Sequence, residues 1–266
     1  MSKPSDASQL DRVRERFTRT AQQFAKFSLS VRTAEAEKLV SLAAPRGDEQ
    51  ALDLACGPGT FTRAFAPRVR RITGLDLTPA LLAQAQAAAA KQGLTNTGFV
   101  CGTATALPFV DGSLDLVTCG YSVHHFGEPA AALAEVARVL RRGGKLALMD
   151  LIVPGEVDAE AGRVNNEIEI VRDASHENTF FAAELRALVE ATGLRALAEQ
   201  ADDRTRGFND WMQIAGWSVA DPAYSRTREL MEESIAGDTS RFHARLLPNG
   251  DMEMVQTSLL LIAEKT

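Results

Sequence analysis

From residue 50 to residue 151, short apolar runs alternate with segments of helical periodicity. Strands that alternate with helices of this length build right-handed β–α–β units. The predicted strands cover 51–55, 71–76, 98–101, 114–119 and 145–151, and the predicted helices cover 60–67, 78–92 and 129–141. This region therefore predicts an α/β domain with a mostly parallel sheet.

Helical periodicity dominates both flanks of this region. Residues 7–27 carry one apolar stripe at helical spacing, and a second helix is predicted over 33–43. Later elements are helices at 157–173, 182–192, 210–216 and 223–236 and strands at 194–198 and 255–264. We therefore divide the chain into an N-terminal helical lid (1–45), an α/β core (46–200), a helical lid insertion (201–250) and the final strand of the core (251–266).

Charge and cysteine content narrow the classes of partner. The formal net charge is -6 without a polybasic run, so long-range electrostatics disfavour nucleic acid. The apolar run at 258–263 has the length of a buried strand, which argues against membrane insertion. Three widely spaced cysteines, Cys56, Cys101 and Cys119, favour reduced thiols in the cytoplasm over disulfides or a metal site. We expect a cytoplasmic protein that acts on a small molecule.

A glycine-rich turn gives the strongest local signal. It leaves a predicted strand and enters a predicted helix, in the run Leu52-Asp53-Leu54-Ala55-Cys56-Gly57-Pro58-Gly59-Thr60. Gly57 and Gly59 allow the backbone to turn tightly and to approach a ligand closely. The third glycine of the GxGxxG dinucleotide pattern is absent, and an acid, Asp53, lies inside the strand. Both details disfavour an NAD-dependent oxidoreductase.

A second acid, Asp76, ends the next predicted strand. A carboxylate at this place accepts hydrogen bonds from both hydroxyls of a ribose in adenosine-binding α/β folds. The alternative is an acid that stabilises the start of the following helix. Its strand position and its distance in sequence from the glycine turn both favour the ribose role.

Taken together, these features resemble one family over about residues 17–200. The matching positions are Asp53 to Gly59, Asp76, Ala106-Leu107-Pro108-Phe109, Asp115-Leu116-Val117 and Leu140-Arg141-Arg142-Gly143-Gly144. The chain resembles class I methyltransferases that depend on S-adenosylmethionine (SAM), particularly those of ubiquinone and menaquinone biosynthesis. This resemblance implies a Rossmann-like, seven-stranded sheet whose last strand is antiparallel. It also implies SAM as the methyl donor, bound across the carboxyl ends of the strands.

The resemblance assigns cofactor roles to individual residues. The family's glycine loop falls on Ala55, Gly57 and Gly59, and Ala55 replaces a usual glycine, a departure that a slightly wider turn could absorb. The ribose acid falls on Asp76, and Leu77 lies beside the adenine. Where the family usually has Gly-Asp-Ala, this chain has Gly102-Thr103-Ala104, so a neutral hydroxyl replaces the charge near the adenine amino group. Phe24 stands where similar enzymes often carry tyrosine.

The segment after the fourth predicted strand faces the expected methyl-transfer site. We expect Tyr121 to line that site and to contact the cofactor, the alternative being a buried ring with a satisfied hydroxyl. His124 and His125 follow, and one of them is a candidate general base while the other packs. A base is needed only where the acceptor must lose a proton.

Two further segments provide acceptor candidates. In the run Arg172-Asp173-Ala174-Ser175-His176, Arg172 is a candidate acceptor ligand and His176 a base whose tautomer Asp173 fixes. The alternative is a polar loop in which Arg172 and Asp173 pair and His176 is solvated. Trp211 and Met212 either form a wall of the acceptor pocket or pack the lid against the body.

The sequence thus predicts SAM-dependent transfer of a methyl group to a small organic acceptor. Carbon, oxygen and nitrogen all remain open as the methylated atom, and the resemblance implies carbon methylation of a quinol-like ring. The alternatives are an NAD-dependent oxidoreductase and a SAM-binding sensor without methyl transfer, which Thr103 and Phe24 would suit. No metal is expected. Both a monomer and a homodimer fit the sequence.

Overall fold

The computed structural model describes residues 6–266, with side chains from residue 8 onward. Its helices are α1 (Asp6–Arg19), α2 (Ala21–Val31), α3 (Thr33–Ala43), α4 (Thr60–Phe65), α5 (Pro79–Lys91), α6 (Pro129–Val139), α7 (Ala159–Arg172), α8 (Ala182–Glu190), α9 (Phe208–Ala215) and α10 (Pro222–Gly237). Its strands are β1 (Gln50–Leu54), β2 (Arg71–Asp76), β3 (Thr97–Cys101), β4 (Leu114–Gly120), β5 (Leu140–Val153), β6 (Phe180–Phe181), β7 (Leu194–Gly207), β8 (Arg245–Leu246) and β9 (Met252–Lys265).

The strands form one sheet in the order β3-β2-β1-β4-β5-β9-β7. Strands β1 to β5 pair in parallel, and β9 runs antiparallel to both β5 and β7. The predicted seven-stranded, mostly parallel α/β sheet with an antiparallel last strand is therefore confirmed. Two short strands extend it, because β6 pairs with β5 and β8 pairs with β9.

Apolar layers cover both faces of the sheet, as a parallel sheet requires. One layer packs α6 and α8 against the sheet through residues such as Leu133, Val136 and Leu185. The other packs α3 and α4 through Leu39, Val40 and Phe65. Because both faces are covered, ligands have access chiefly at the carboxyl ends of the strands.

The N-terminal apolar stripe belongs to two helices and not to one. Helix α1 ends at Arg19 and α2 begins at Ala21. Between them Thr20 leaves helical geometry with ψ of 10°, and its hydroxyl donates to the Arg16 carbonyl at 3.0 Å. A threonine that bonds back to the preceding turn often bends a helix. The bend lets α1 and α2 meet the strand ends at different angles.

Strand β7 runs nine residues beyond the predicted strand end at residue 198 and stops at Gly207. Its second half shows no apolar alternation, because exposed polar residues such as Asp203 alternate there with part-buried polar residues such as Asp202. Pairing with β9 holds it in the sheet along its whole length. Residues 201–207, predicted as part of the lid insertion, are therefore sheet residues.

Helices α9 and α10 form a third apolar cluster with α7 and the start of β9. Its members include Ile168, Trp211, Met231 and Met254. The cluster lies beyond the carboxyl end of β5, beside the N-terminal helices. None of the helices in residues 6–266 combines the length and apolar content that crossing a bilayer demands. Within the same residues, no three acidic, histidine or cysteine side chains are grouped to hold a metal ion.

Candidate functional site

The turn after β1 adopts left-handed backbone at three positions. Ala55, Gly57 and Gly59 have φ values of 53°, 52° and 80°. The Gly59 amide closes the turn by donating to the Cys56 carbonyl at 2.9 Å. The alanine itself takes the conformation that glycine adopts without steric cost.

Asp76 at the end of β2 is anchored to this turn. One carboxylate oxygen accepts from the Gly57 amide at 2.8 Å, and the other accepts from the Thr78 amide at 2.8 Å. Burial raises the pKa of Asp76, while these hydrogen bonds lower it. Each oxygen keeps a further lone pair, so the oriented carboxylate can still accept from a diol.

A cavity of about 950 Å³ opens above the turn at the carboxyl ends of the strands. Seven of the nine predicted cofactor residues line it, namely Ala55, Gly57, Asp76, Leu77, Thr103, Ala104 and Tyr121. Phe24 from α2 lines it too. We call this the first cavity. Its residues come from β1, β2, β4, the loop after β3 and α2, which the parallel sheet brings to one edge.

The other two predicted cofactor residues lie beneath the first cavity and do not line it. Gly59 lies where a Cβ atom would be 3.0 Å from that of Ala85, so its role is close packing of α4 against α5. Asp53 is buried and accepts a hydrogen bond from the Thr62 hydroxyl at 2.6 Å. Burial raises its pKa to about 7, against the hydrogen bonds from Thr62. Asp53 therefore ties β1 to α4, the two elements that the turn connects.

A second cavity, of about 620 Å³, adjoins the first. Helices α1, α2, α7 and α9 and strands β7 and β9 contribute to its walls. Five residues line both cavities and so form their boundary: Phe17, Phe24, Arg32, Tyr121 and His125. Two adjacent cavities that share lining residues can hold two ligands next to each other.

Tyr121 lies at the centre of this boundary. Its φ is 57°, and its amide donates to the Met149 carbonyl at 2.7 Å. Its hydroxyl lies 3.1 Å from the Ser258 hydroxyl, and the Arg32 guanidinium carbon lies 4.1 Å from the ring centroid. Burial raises the pKa of Tyr121, so the phenol stays protonated. The side chain both lines the cavities and has a satisfied hydroxyl, which makes it a wall and not a base.

His124 lines the second cavity and is held by Asp150 at the carboxyl end of β5. The ring Nδ1 lies 2.5 Å from Asp150 Oδ1, and the His124 amide donates to Oδ2 at 3.1 Å. Burial would raise the pKa of Asp150, but the charge and hydrogen bonds of His124 hold it below its usual value. With Nδ1 donating to the carboxylate, Nε2 is the atom that remains to accept a proton.

The other two histidines are placed differently. His125, at the boundary of the cavities, has Nδ1 at 2.9 Å from the Ser175 carbonyl, and burial lowers its pKa well below the usual value. His176 lines neither cavity and its Nε2 lies 2.9 Å from the Asn166 side-chain oxygen. Burial also lowers the pKa of His176. The structure therefore groups His124 and His125 at the site and leaves His176 in the packing beneath it.

The partners in the 172–176 segment differ from both of our alternatives. Arg172 pairs with Glu169 at 2.8 Å, while Asp173 pairs with Arg16 of α1 at 2.8 Å. The His176 ring is buried and not solvated, and its Nε2 faces the Asn166 side-chain oxygen and not the Asp173 carboxylate. Burial would raise the pKa of Asp173, but the charge of Arg16 holds it far below its usual value. The missed partner, Arg16, lies on a helix too distant in sequence for spacing to reveal.

Of the three predicted acceptor ligands, two line the second cavity. They are Arg172 and Trp211, whose guanidinium carbon and ring centroid are 4.5 Å apart. Met212 is fully buried in the third apolar cluster and lines neither cavity, so its side chain packs within that cluster. Four arginines that no sequence pattern predicted also line the second cavity, at positions 16, 32, 204 and 206.

Known proteins share both the sequence and the fold of this chain. A family model described as a methyltransferase domain matches residues 52–148. The "Uncharacterized methyltransferase YcgJ" of Bacillus subtilis is 33% identical over 186 residues, which are 69% of this chain and 73% of that protein. The chain belongs to the class I methyltransferases. The resemblance predicted from the glycine turn and Asp76 is confirmed.

Further relatives agree with this assignment. The crystal structure of the YcgJ protein matches this methyltransferase with a TM-score of 0.79 and 28% identity, over 87% of this chain and 98% of its own. The "Ubiquinone/menaquinone biosynthesis C-methyltransferase UbiE" of Bdellovibrio bacteriovorus is 30% identical over 144 residues, which are 52% of this methyltransferase and 61% of that protein. The shared region includes the methyltransferase domain and leaves the acceptor side to be argued from this chain.

Proposed function

We propose that this methyltransferase binds SAM in the first cavity and transfers its methyl group to a small organic acceptor in the second. The observation that carries the proposal is the shared boundary at Tyr121, where a cavity built around Asp76 meets a second cavity that contains His124. Adjacent sites bring donor and acceptor together, and alignment of reactants supplies much of the acceleration of a transfer reaction.

The residues of the first cavity suit an adenosine group. Asp76 offers two oriented carboxylate oxygens, and Gly57 presents backbone without a side chain to the cavity. Leu77, Thr103 and Ala104 form the apolar and weakly polar walls that a purine ring needs. Ala55 and Thr103, which differ from the residues usual in the family, also line the cavity.

The second cavity supports transfer over mere sensing of SAM. Bound SAM supplies an electrophilic methyl group, so the acceptor atom bonds to that carbon as the carbon–sulfur bond breaks, and S-adenosylhomocysteine (SAH) is the other product. Where the acceptor carries a proton, His124 Nε2 takes it, with Asp150 fixing the ring and stabilising the positive charge. A buried histidine–aspartate pair whose histidine lines the second cavity supports transfer over sensing.

The size and charge of the protein support a small acceptor and not a nucleic acid. The second cavity is lined by aromatic, apolar and charged side chains, the mixture that small-molecule sites commonly present. The net charge of -6 disfavours polyanions over long distances. The three cysteines are free thiols, which supports a reducing, cytoplasmic location.

Calorimetric titration with SAM and SAH tests the first half of the proposal. We expect 1:1 binding, and Asp76→Asn should weaken it by about tenfold to a hundredfold, since a neutral amide replaces a carboxylate and presents N–H to a backbone donor. Asp48→Asn, at an exposed carboxylate, is the matched control and should leave the affinity unchanged. Absence of SAH binding in the wild-type protein would refute the proposal.

Transfer itself is tested by incubating the protein with methyl-labelled SAM and a panel of phenols, amines, thiols and carbon nucleophiles. We expect one class to accept the label, and the position of the label identifies the methylated atom. A protein that binds SAH tightly but labels nothing in a whole-metabolite extract would be a sensor and not a transferase.

A further inference from the structure

Five arginines line the second cavity. They are Arg16, Arg32, Arg172, Arg204 and Arg206. Three of them are neutralised by carboxylates within 4 Å: Arg16 by Asp173, Arg172 by Glu169 and Arg204 by Glu35. Buried cations are normally paired in this way, because an unpaired charge in a protein interior is costly.

The remaining two, Arg32 and Arg206, have no such partner. Among the side chains that the structure describes, no carboxylate lies within 4 Å of either guanidinium. The Arg206 Nε donates to the neutral side-chain oxygen of Gln256 at 2.8 Å. The guanidinium carbons of Arg32 and Arg206 each lie 5.4 Å from the centroid of the same ring, Phe27. Two arginines without an ion-pair partner therefore share one wall of the cavity.

The pKa of Arg206 is consistent with the lack of a carboxylate partner. Burial, and then the charges of Arg32 and Arg204, lower its pKa to about 10. The fold thus places a guanidinium where burial and neighbouring positive charges disfavour its charged form. Groups that cost stability in this way are commonly kept for function.

The two arginines differ in which cavity they reach. Arg32 lines both cavities, so its charge acts on a ligand in either one. Arg206 lines only the second cavity. Beside it, Phe27 and Trp211 offer apolar surface for the rest of a ligand.

Resting on the proposed function, we infer that the methyl acceptor carries an oxyanion group, a carboxylate or a phosphate, which Arg206 binds in the second cavity. A planar guanidinium pairs with either group through two parallel hydrogen bonds. Binding of one such group neutralises the unpaired charge. The aromatic wall then holds the part of the acceptor that receives the methyl group.

Binding of simple probes tests the inference without knowledge of the natural acceptor. The protein, saturated with SAH, is titrated with benzoate, phenyl phosphate and the neutral benzamide at constant ionic strength, and binding is followed by ligand-observed NMR. We expect at least one anion to bind about tenfold or more tightly than benzamide, since charge-assisted hydrogen bonds are the stronger ones. The tighter of the two anions shows whether the natural group is a carboxylate or a phosphate.

Variants of Arg206 locate the binding cation. Arg206→Gln should reduce the affinity for the preferred anion about tenfold and leave benzamide and SAH binding unchanged, while Arg206→Lys should retain part of the preference. Arg195→Gln, on the same strand with a largely exposed side chain, is the matched control and should change nothing.

The two proposals fail in distinguishable ways. Absence of SAH binding in the same sample refutes the proposed function. With SAH bound, equal affinity for benzamide and both anions refutes only the oxyanion inference. An anion preference that survives Arg206→Gln also refutes it, because the charge that binds the anion then lies elsewhere.

Discussion

His124 Nδ1 lies 2.5 Å from Asp150 Oδ1, and the other oxygen of the same carboxylate accepts from the His124 backbone amide at 3.1 Å. Asp150 thus holds both the ring and the main chain of His124. Both side chains are buried, and His124 lines the second cavity. A carboxylate in this place fixes the imidazole tautomer and favours the protonated ring that forms when the histidine takes a proton.

We predict that Asp150→Asn lowers kcat for the identified acceptor by about tenfold to a hundredfold, with little change in KM or in SAH affinity. His124→Gln should have a similar effect, and the double variant should be no slower than His124→Gln, because the two residues act as one unit. The measurement is the initial rate with labelled SAM across a pH series.

A matched control for this pair is His176→Asn, which changes a buried histidine that lines neither cavity. Folded His176→Asn protein should keep its kcat. Additive losses in the Asp150 and His124 double variant would contradict coupling between them. An unchanged kcat in His124→Gln would show that the acceptor needs no base.

Thr103 provides a second prediction, on SAM affinity. It lines the first cavity where similar enzymes usually carry aspartate. We predict that Thr103→Asp tightens SAH binding by about threefold to tenfold, because a charged acceptor makes stronger hydrogen bonds than a hydroxyl. Thr103→Asn is the neutral control and should have little effect. Calorimetry on the three proteins checks this, and weaker binding by the aspartate variant would show that Thr103 does not face a donor group.

The sequence predicted the sheet well because its central strands are buried on both faces and so appear as apolar runs. Strand β7 was underestimated, since its second half carries polar residues on both faces and its partner β9 lies about 50 residues further along the chain. The glycine turn and Asp76 were also predictable, because a local turn and a strand end position both of them.

The acceptor side was much less predictable. Arg32 and Arg206 meet at one aromatic ring although they lie on opposite sides of the core in sequence. The pairing of His124 with Asp150 did have a signal, since the parallel register of β4 and β5 sets Gly120 opposite Met149. Residues that follow those two strand positions must come close. A side-chain contact of that kind needs the strand register, which apolar periodicity alone does not provide.

Asp53 makes a third prediction, on pH dependence. Burial raises its folded-state pKa to about 7, against a usual value of 3.8. A carboxyl group with a raised folded pKa contributes stability that is fully present below about pH 4 and is lost as the pH rises through 7. Asp53→Asn keeps a neutral group at every pH, so its advantage over the wild type should grow from pH 5 to pH 8, by roughly 2 kcal/mol.

Urea denaturation of the ligand-free proteins at pH 5, 6, 7 and 8 measures this difference. Asp48→Asn serves as the control, because its side chain is exposed, and its difference from the wild type should be constant with pH. Parallel stability curves for Asp53→Asn and the wild type would mean that Asp53 is ionised in the fold throughout this range.

The final prediction concerns the strained alanine of the glycine turn. Ala55 has φ of 53°, a conformation that costs an alanine about 1–2 kcal/mol and glycine almost nothing. Glycine gains freedom in the unfolded chain, which offsets part of that benefit. We therefore predict that Ala55→Gly raises the free energy of unfolding by about 0.5–1 kcal/mol.

The control is Ala87→Gly, the same change at an exposed position inside helix α5. It should lower the free energy of unfolding by about 1 kcal/mol. Thermal and urea unfolding of the two variants decide the matter, because only a left-handed backbone at residue 55 gives the same substitution opposite signs at the two positions.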